Sequence, residues 1–296
     1  MTRFAYERAT RWRLRTRTLE LPIRPLVMGI VNVTPDSFSD GGRYLDPERA
    51  ITHGRQLIDE GAELLDIGGE STRPYSTPVT VEEELRRVLP VVRALARDSR
   101  VIVSIDTSKP AVARAAVEAG AEIINDITGM VDPEMLAAAV ETRAGVCAMH
   151  MQGTPQTMQI SPQYDDIVPE IFTWLADCRD RLLNAGIPRE QIALDPGIGF
   201  GKTHQHNLTL LAGSHLFHAL GCPLLLGPSR KGFIGKVLGD KITERVLGTV
   251  GVVLSLAAQG VQMVRVHDVS AVRQALLLFE ATGGIDGRAI ELEDLL

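Results

Sequence analysis

The stretch Leu26-Val27-Met28-Gly29-Ile30-Val31-Asn32-Val33-Thr34-Pro35-Asp36-Ser37-Phe38-Ser39-Asp40-Gly41-Gly42 changes character halfway. Its first part, through Val31, is an unbroken apolar run and reads as a buried strand. Its second part cannot extend that strand, because Pro35 lacks a donor and the Asp/Ser/Gly cluster favours turns. The result is a core strand that delivers a polar loop at its carboxyl end. In α/β barrels and open α/β sheets that is the end where ligands bind.

The same pattern repeats along the chain. Short apolar runs predict strands at Val27–Val31, Leu64–Ile67, Val101–Ile105, Ile123–Asn125, Val146–His150, Ile192–Asp195, Leu224–Leu226 and Met263–Val266. Their near-continuous apolar character fits parallel strands covered on both sides. Amphipathic stretches between them predict helices at Pro47–Asp59, Thr80–Arg97, Pro110–Ala119, Pro133–Thr142, Asp166–Asn184, Asn207–Leu220, Thr243–Gln259 and Ser270–Thr282. Asp46 before Pro47 reads as an N-cap, Thr80-Val81-Glu82-Glu83 as a capping box, and Gly120 as a helix stop. Strand–helix alternation repeated eight times predicts a (β/α)8 barrel, with a doubly wound open sheet as the alternative. No Pro/Gly/Ser linker divides the chain, so one domain over 1–296 is expected, with a 1–25 extension and the barrel over 26–284. Trp12–Leu21 alternates polar and apolar residues and is expected to form a short strand or hairpin across the barrel floor.

Bulk properties narrow the function. The 296 residues are 45% hydrophobic and 23% charged, enough for a large core. A net charge of −6 gives no general attraction for nucleic acid or an anionic membrane. No apolar stretch is long enough to span a bilayer, and the arginine-rich start lacks the apolar segment of a secretory signal. Cys147, Cys178 and Cys222 lie far apart, without a disulfide or zinc pattern, which fits a reducing cytoplasm.

Polar residues fall where the strands end. They are Asn32, Asp66, Asp106, Asn125-Asp126, His150, Asp195, Ser229-Arg230-Lys231, and Arg265 with His267. In a barrel these converge on one mouth. Taken singly, Asp66 reads equally as a loop-pinning residue, and Asp106, Asn125 and Asp195 as turn residues. All three of the latter serving only turns on three separate strands is a poor account. Arg265 and His267, two apart on a strand, face the same way and suit an anion. Lys231 stands at a predicted helix start, where the dipole disfavours a cation, which favours a functional role. Gly197-Ile198-Gly199-Phe200-Gly201 lacks the spacing of a dinucleotide loop. His53 and His150 read as structural, and His204 and His206 as solvated. The carboxylate and amide edges of Asp106, Asn125 and Asp195 suit a flat heterocycle rich in N–H donors, with Lys231 for its carbonyl or imine nitrogen.

Long strings of this chain resemble the dihydropteroate synthases, from about Arg24 to Gly284. They are Met28 to Gly42, Asp66 to Pro74, Ser104 to Thr107, Ile124 to Asp126, Met149 to Pro155, Leu194 to Lys202, Ser229 to Lys231 and Arg265 to Asp268. The resemblance implies a TIM barrel that joins 7,8-dihydropterin-6-ylmethyl diphosphate to 4-aminobenzoate and releases pyrophosphate. It implies pterin binding by Asp106, Asn125, Met149, Asp195 and Lys231, and diphosphate binding by Asn32, Thr72, Arg265 and His267. Asn32 is implied to hold Mg2+ with the diphosphate. Phe38, Arg73, Pro74, Phe200, Lys231 and Gly232 are implied for aminobenzoate. Asp106, Asp195, Lys231 and Asp36 are implied in catalysis, and a homodimer is implied as the assembly. The chain departs from the pattern at Tyr75, where glycine is usual, at Gly232, where serine or arginine is common, and at Pro228. Two rivals share the scaffold: a pterin-dependent corrinoid methyltransferase and a non-catalytic pterin-binding paralogue. The first should lack the paired loops at Asn32–Gly42 and Ser71–Pro74 and the Arg265/His267 pair, and all are present.

Overall fold

The computed structural model of the chain describes residues 7–34, 47–72, 76–239 and 245–290. Eight parallel strands follow one another around a barrel: β3 (Leu26–Asn32), β4 (Leu64–Gly68), β5 (Ile102–Asp106), β6 (Ile123–Asp126), β7 (Gly145–Met149), β8 (Ile192–Asp195), β9 (Leu225–Leu226) and β10 (Met263–Val266). The sheet order is β8-β7-β6-β5-β4-β3-β10-β9, and a parallel bridge from Leu194 to Leu224 brings its two edges together. This is the (β/α)8 barrel expected from the strand–helix alternation. The helices α1 (Pro47–Asp59), α2 (Val81–Leu95), α3 (Pro110–Glu118), α4 (Pro133–Thr142), α5 (Ile167–Asn184), α6 (His204–Ala212), α7 (Gly232–Leu238), α8 (Val246–Ala258) and α9 (Val269–Ala281) follow these strands in the chain.

The period of two along each strand sorts the side chains. Val27, Val31, Leu65, Ile67, Val103, Ile105, Ile124, Val146, Leu194, Leu226 and Val264 belong to the large outer core beneath the helices. Leu26, Met28, Leu64, Ile102, Ile123, Cys147, Ala193, Leu225 and Met263 form a separate inner cluster, with a member from every barrel strand. Residues two further along each strand complete the interior, and several of them are polar.

The floor is closed as expected. β1 (Arg11–Arg13) and β2 (Thr18–Glu20) form an antiparallel hairpin, with Trp12 opposite Leu19. Trp12, Leu14 and Leu21 join the inner cluster. Trp12 is wholly buried, and its indole N–H donates to the Gln191 carbonyl at 3.0 Å. The neighbouring Arg13 reaches the Gln191 side-chain oxygen at 2.7 Å.

Two local expectations are corrected. The single helix expected over Asn207–Leu220 is two pieces: α6 starts earlier, capped by Thr203, and a 3-10 segment covers Ser214–Leu220. Gly213 separates them. His206 is not merely solvated, because it completes the capping box of α6 and packs edge-on against Tyr164. The helix start expected at Lys231 is present: Gly232–Leu238 forms the short helix α7, with Lys231 as its N-cap residue. Asp36, Phe38, Asp46, Arg73, Pro74 and Tyr75, to which the sequence assigned roles, lie outside the described residues.

Candidate active site

A cavity of about 800 Å³ opens at the carboxyl end of the barrel. Its walls include Asn32, Thr72, Asp106, Phe200, Lys231, Gly232, Arg265 and His267 from the predicted set. They come from six separate strands or the loops that follow them, so the barrel itself assembles the site. Asn125 stands one residue before the end of β6, Met149 and Asp195 end the neighbouring β7 and β8, and all three are buried, outside the residues that line the cavity.

Within the barrel the polar groups form a connected chain. The Arg265 guanidinium donates through Nε to Asp66 Oδ2 at 2.6 Å and through Nη2 to Asp106 Oδ2 at 2.8 Å. The Asn125 amide donates through Nδ2 to the same Asp66 oxygen at 3.0 Å. Asp66 therefore neither caps a helix nor pins a loop. It shares the inward parity of Leu64 and Gly68, and that parity is the signal that could have found it in the sequence. Arg265 does face the same cavity as His267, but it is also tied to two carboxylates. It is thus more than an isolated anion-binding cation.

These environments shift the titrations. Burial, and then the neighbouring Asp66 charge, raise the Asp106 carboxyl, while Arg265 holds it back. Burial raises Asp195 to about 6, opposed by the Gly197 N–H and nearby cations. Lys231 is lowered to about 8 by burial and then by repulsion from Arg265. Its Nζ sits 4.2 Å from the centre of the Phe200 ring, a cation–π contact. Burial, then Arg230 and Arg265, lower His267 to about 4. A neutral His267 ring fits its contact with the Ser229 hydroxyl, 3.1 Å from Nδ1.

The loop after β8 has a reason for its glycines. Gly197 has φ +73°, and a Cβ there would lie 1.9 Å from the His150 carbonyl oxygen. Gly201 has φ +61°, and a Cβ there would meet the Gln152 backbone at 2.6 Å. Only glycine allows both the backbone angle and the approach. The loop is held by Gly197 N–H to Asp195 Oδ1 at 2.7 Å, Gly199 N–H to Asn207 Oδ1 at 2.6 Å and the Tyr164 hydroxyl to the Gly201 carbonyl at 2.8 Å. Such fixed placement suits the seating of Phe200 at the cavity wall.

Lys202 received no role from the sequence, yet it is buried in this loop. Its Nζ donates to the Phe200 carbonyl at 2.9 Å and lies 3.0 Å from His150 Nδ1. Burial lowers it to about 7. Burial, and then the Lys202 charge, lower His150 to about 3. His150 is structural, as expected, with its ring edge-on to Trp174 at 4.9 Å. Glu70 is a second unanticipated wall residue, paired with Lys109, whose Nζ also reaches the buried Glu84 at 2.5 Å. Nothing in a single sequence distinguishes these charges from solvated ones, since their partners are 25 to 52 residues away.

No group of three or more His, Cys, Asp or Glu side chains among the described residues is placed to hold a metal. The Asn32 amide at the cavity wall is nevertheless a hard oxygen donor. Mg2+ commonly takes only one or two protein ligands beside phosphate oxygens and water, so the donor set fits it.

The profile of the pterin binding enzyme family matches residues 28–267. The chain is 48% identical to dihydropteroate synthase of Escherichia coli strain K12 over 258 residues, covering 87% of this chain and 92% of that one. The barrel is similar to the crystal structure of the Yersinia pestis dihydropteroate synthase with a sulfonamide drug complex, with a TM-score of 0.87, 46% identity, and coverage of 93% and 99% of the two chains. It is also similar to the Xanthomonas albilineans dihydropteroate synthase in complex with 7,8-dihydropteroate, with a TM-score of 0.83, 44% identity, and coverage of 92% and 98%. With this fold, this cavity and these likenesses together, the chain belongs to the dihydropteroate synthases, transferases of the pterin-binding enzyme family.

Proposed function

We propose that this chain condenses 7,8-dihydropterin-6-ylmethyl diphosphate with 4-aminobenzoate to give 7,8-dihydropteroate and pyrophosphate. The observation that carries the reading is the linked set Asp66, Asp106, Asn125 and Arg265 inside the barrel mouth, beneath a cavity with Lys231 and His267 on its wall. Buried acceptors of this kind reward a ring rich in N–H donors and penalise one that leaves them unpaired.

The chemistry follows from where charge develops. The methylene C–O bond breaks first, and its electron pair leaves with pyrophosphate. Arg265 and His267 offer donors to that leaving group, together with Thr72. The positive charge left on the pterin methylene spreads into the ring, where the Asp106 and Asp195 carboxylates stabilise it. The arylamine lone pair then forms the new C–N bond, and the nitrogen gives its proton to solvent. Making the electrophile first suits a weak nucleophile. Asn32 would hold Mg2+, which when bound neutralises phosphate charge. Phe200 and Lys231 would flank the aminobenzoate, with Gly232 beginning α7 beside them. Met149 would pack under the pterin ring.

We further propose that residues 26–284 act as one barrel domain and that two copies associate. Support for association comes from α8 and α9, where Leu247 is 83% exposed and Leu278 69%. Three buried free thiols fit a reducing cytoplasm, and no described helix is long and apolar enough to cross a membrane. Incubation of the pure protein with both substrates and Mg2+, read as pyrophosphate release, tests the reaction. Release dependent on both substrates is expected, and its absence would overturn the reading in favour of a binding-only relative. Asp195→Asn should retain the fold and weaken pterin binding by about 1.5–3 kcal/mol. Unchanged calorimetric affinity in that variant would remove Asp195 from the pocket.

A further inference from the structure

The ring pocket has a second layer with its own role. In the parallel register Asp106 pairs with Asn125, and one inward step deeper Asp66 pairs with Ser104. Asp66 is wholly buried, two residues before the end of β4. Its Oδ2 accepts from both Asn125 Nδ2, at 3.0 Å, and Arg265 Nε, at 2.6 Å. Its Oδ1 and the Ser104 hydroxyl are buried without a protein partner. A carboxylate in that place costs desolvation that no packing need explains.

We infer that Asp66 is a specificity-determining residue, which sets the donor–acceptor polarity of the pocket by fixing the Asn125 amide and the Arg265 guanidinium from below. An ionised carboxylate only accepts hydrogen bonds. It therefore holds the Asn125 NH2 toward itself, because the flipped amide would set a carbonyl oxygen against a carboxylate oxygen. With one N–H committed to Asp66, Asn125 keeps its carbonyl oxygen as an acceptor for a ligand. No described group donates to that oxygen. Arg265, held through Nε by Asp66, turns Nη2 to Asp106 and so ties the same device to a cavity-wall residue. The ligand favoured is a 2-amino-4-oxopteridine, whose amino group donates, over a 2,4-dioxopteridine, whose corresponding oxygen accepts. Asp66 touches neither ligand in this scheme; it is a positioning residue.

The inference rests on the pterin reading above, and the test separates the two. Calorimetric affinities for 2-amino-4-oxopteridine and 2,4-dioxopteridine are measured for the wild type, for Asp66→Asn, and for the double variant Asp66→Asn/Asn125→Asp. The wild type should prefer the amino ring. In Asp66→Asn the side chain at 66 can donate as well as accept, Asn125 is free to flip, and the preference should fall about tenfold. In the double variant an amide at 66 donates to a carboxylate at 125, the acceptor toward the ligand is restored, and the preference should return. Parallel loss of both affinities in Asp66→Asn, with the ratio unchanged, would show a purely structural role and overturn the inference. Failure of the double variant to recover the ratio, in protein with a wild-type circular dichroism spectrum, would overturn it as well. A wild type that binds neither ring would overturn the pterin reading itself.

Discussion

The two ends of the barrel interior are built from the same strands by the same period of two, yet they obey opposite rules. At the floor, Leu64, Ile102, Ile123, Ala193 and Met263 meet Trp12 and Leu14 in an apolar plug. One inward step along, the same strands present Asp66, Ser104, Asn125, Asp195 and Arg265. The floor buries surface that water expels, so its stability comes from area and fit. The mouth buries charge, which must be paired to be tolerated. The barrel can hold such a mouth because its apolar floor and outer core supply the stability elsewhere. This division also explains why conserving the apolar layer and altering the polar one would change a barrel's ligand without changing its fold.

The floor is the more sensitive end. Trp12→Ala removes the largest side chain of the plug and its bond to Gln191. A stability loss of about 3–5 kcal/mol is expected in urea denaturation. Pteridine affinity of the folded fraction should stay within about twofold, as expected for sites without shared partners. If ligand affinity fell along with stability, the two ends would not be independent.

The next effect is at the mouth. Arg265→Ala leaves Asp66 and Asp106 buried together with no cation between them, and stability should fall by about 3 kcal/mol. Binding of the diphosphate substrate should weaken more than binding of the bare pterin. The bare pterin should nonetheless weaken too, because Arg265 is bonded to the Asp106 carboxylate. Calorimetry with each ligand separates the contributions, and an unaltered bare-pterin affinity would confine Arg265 to the phosphates.

A weaker effect is read through pH. Lys202 is lowered to about 7 in the folded chain by burial. The unfolded chain keeps the ordinary value of about 10.4. Between these values the unfolded state binds more protons, so this group makes stability rise with pH across the window from about 7 to 10.4. Lys202→Met abolishes that dependence. The stability difference between wild type and variant should therefore move toward the wild type by on the order of 2 kcal/mol from pH 7 to pH 9. The cost of Trp12→Ala should be flat over the same range, since no titrating group is lost.

The legibility of the molecule follows the same division. Strands and most helices were readable because apolar runs, Pro at helix starts and the Thr80 N-cap act locally; the Glu83 side chain, expected to close a capping box onto Thr80, pairs with Arg86 and Arg87 instead. The split of α6 from the following 3-10 segment at Gly213 was not read, although the glycine is visible, because the preceding and following apolar residues continue the pattern. At the site, Asp106, Asn125 and Asp195 were identifiable as strand-end polar residues on separate strands. Asp66 and Lys202 were visible as residues but not as devices.

Hydrophobic period and turn chemistry, acting within a few residues, are enough to set the barrel, its closed floor and the end at which polar groups gather. The tertiary structure alone decided which charges neutralise one another. Asp66 meets Asn125 and Arg265 across 59 and 199 residues of chain, and Lys202 meets His150 across 52. Pairing in a low-dielectric interior depends on distances of a few ångströms, which only the closed barrel sets.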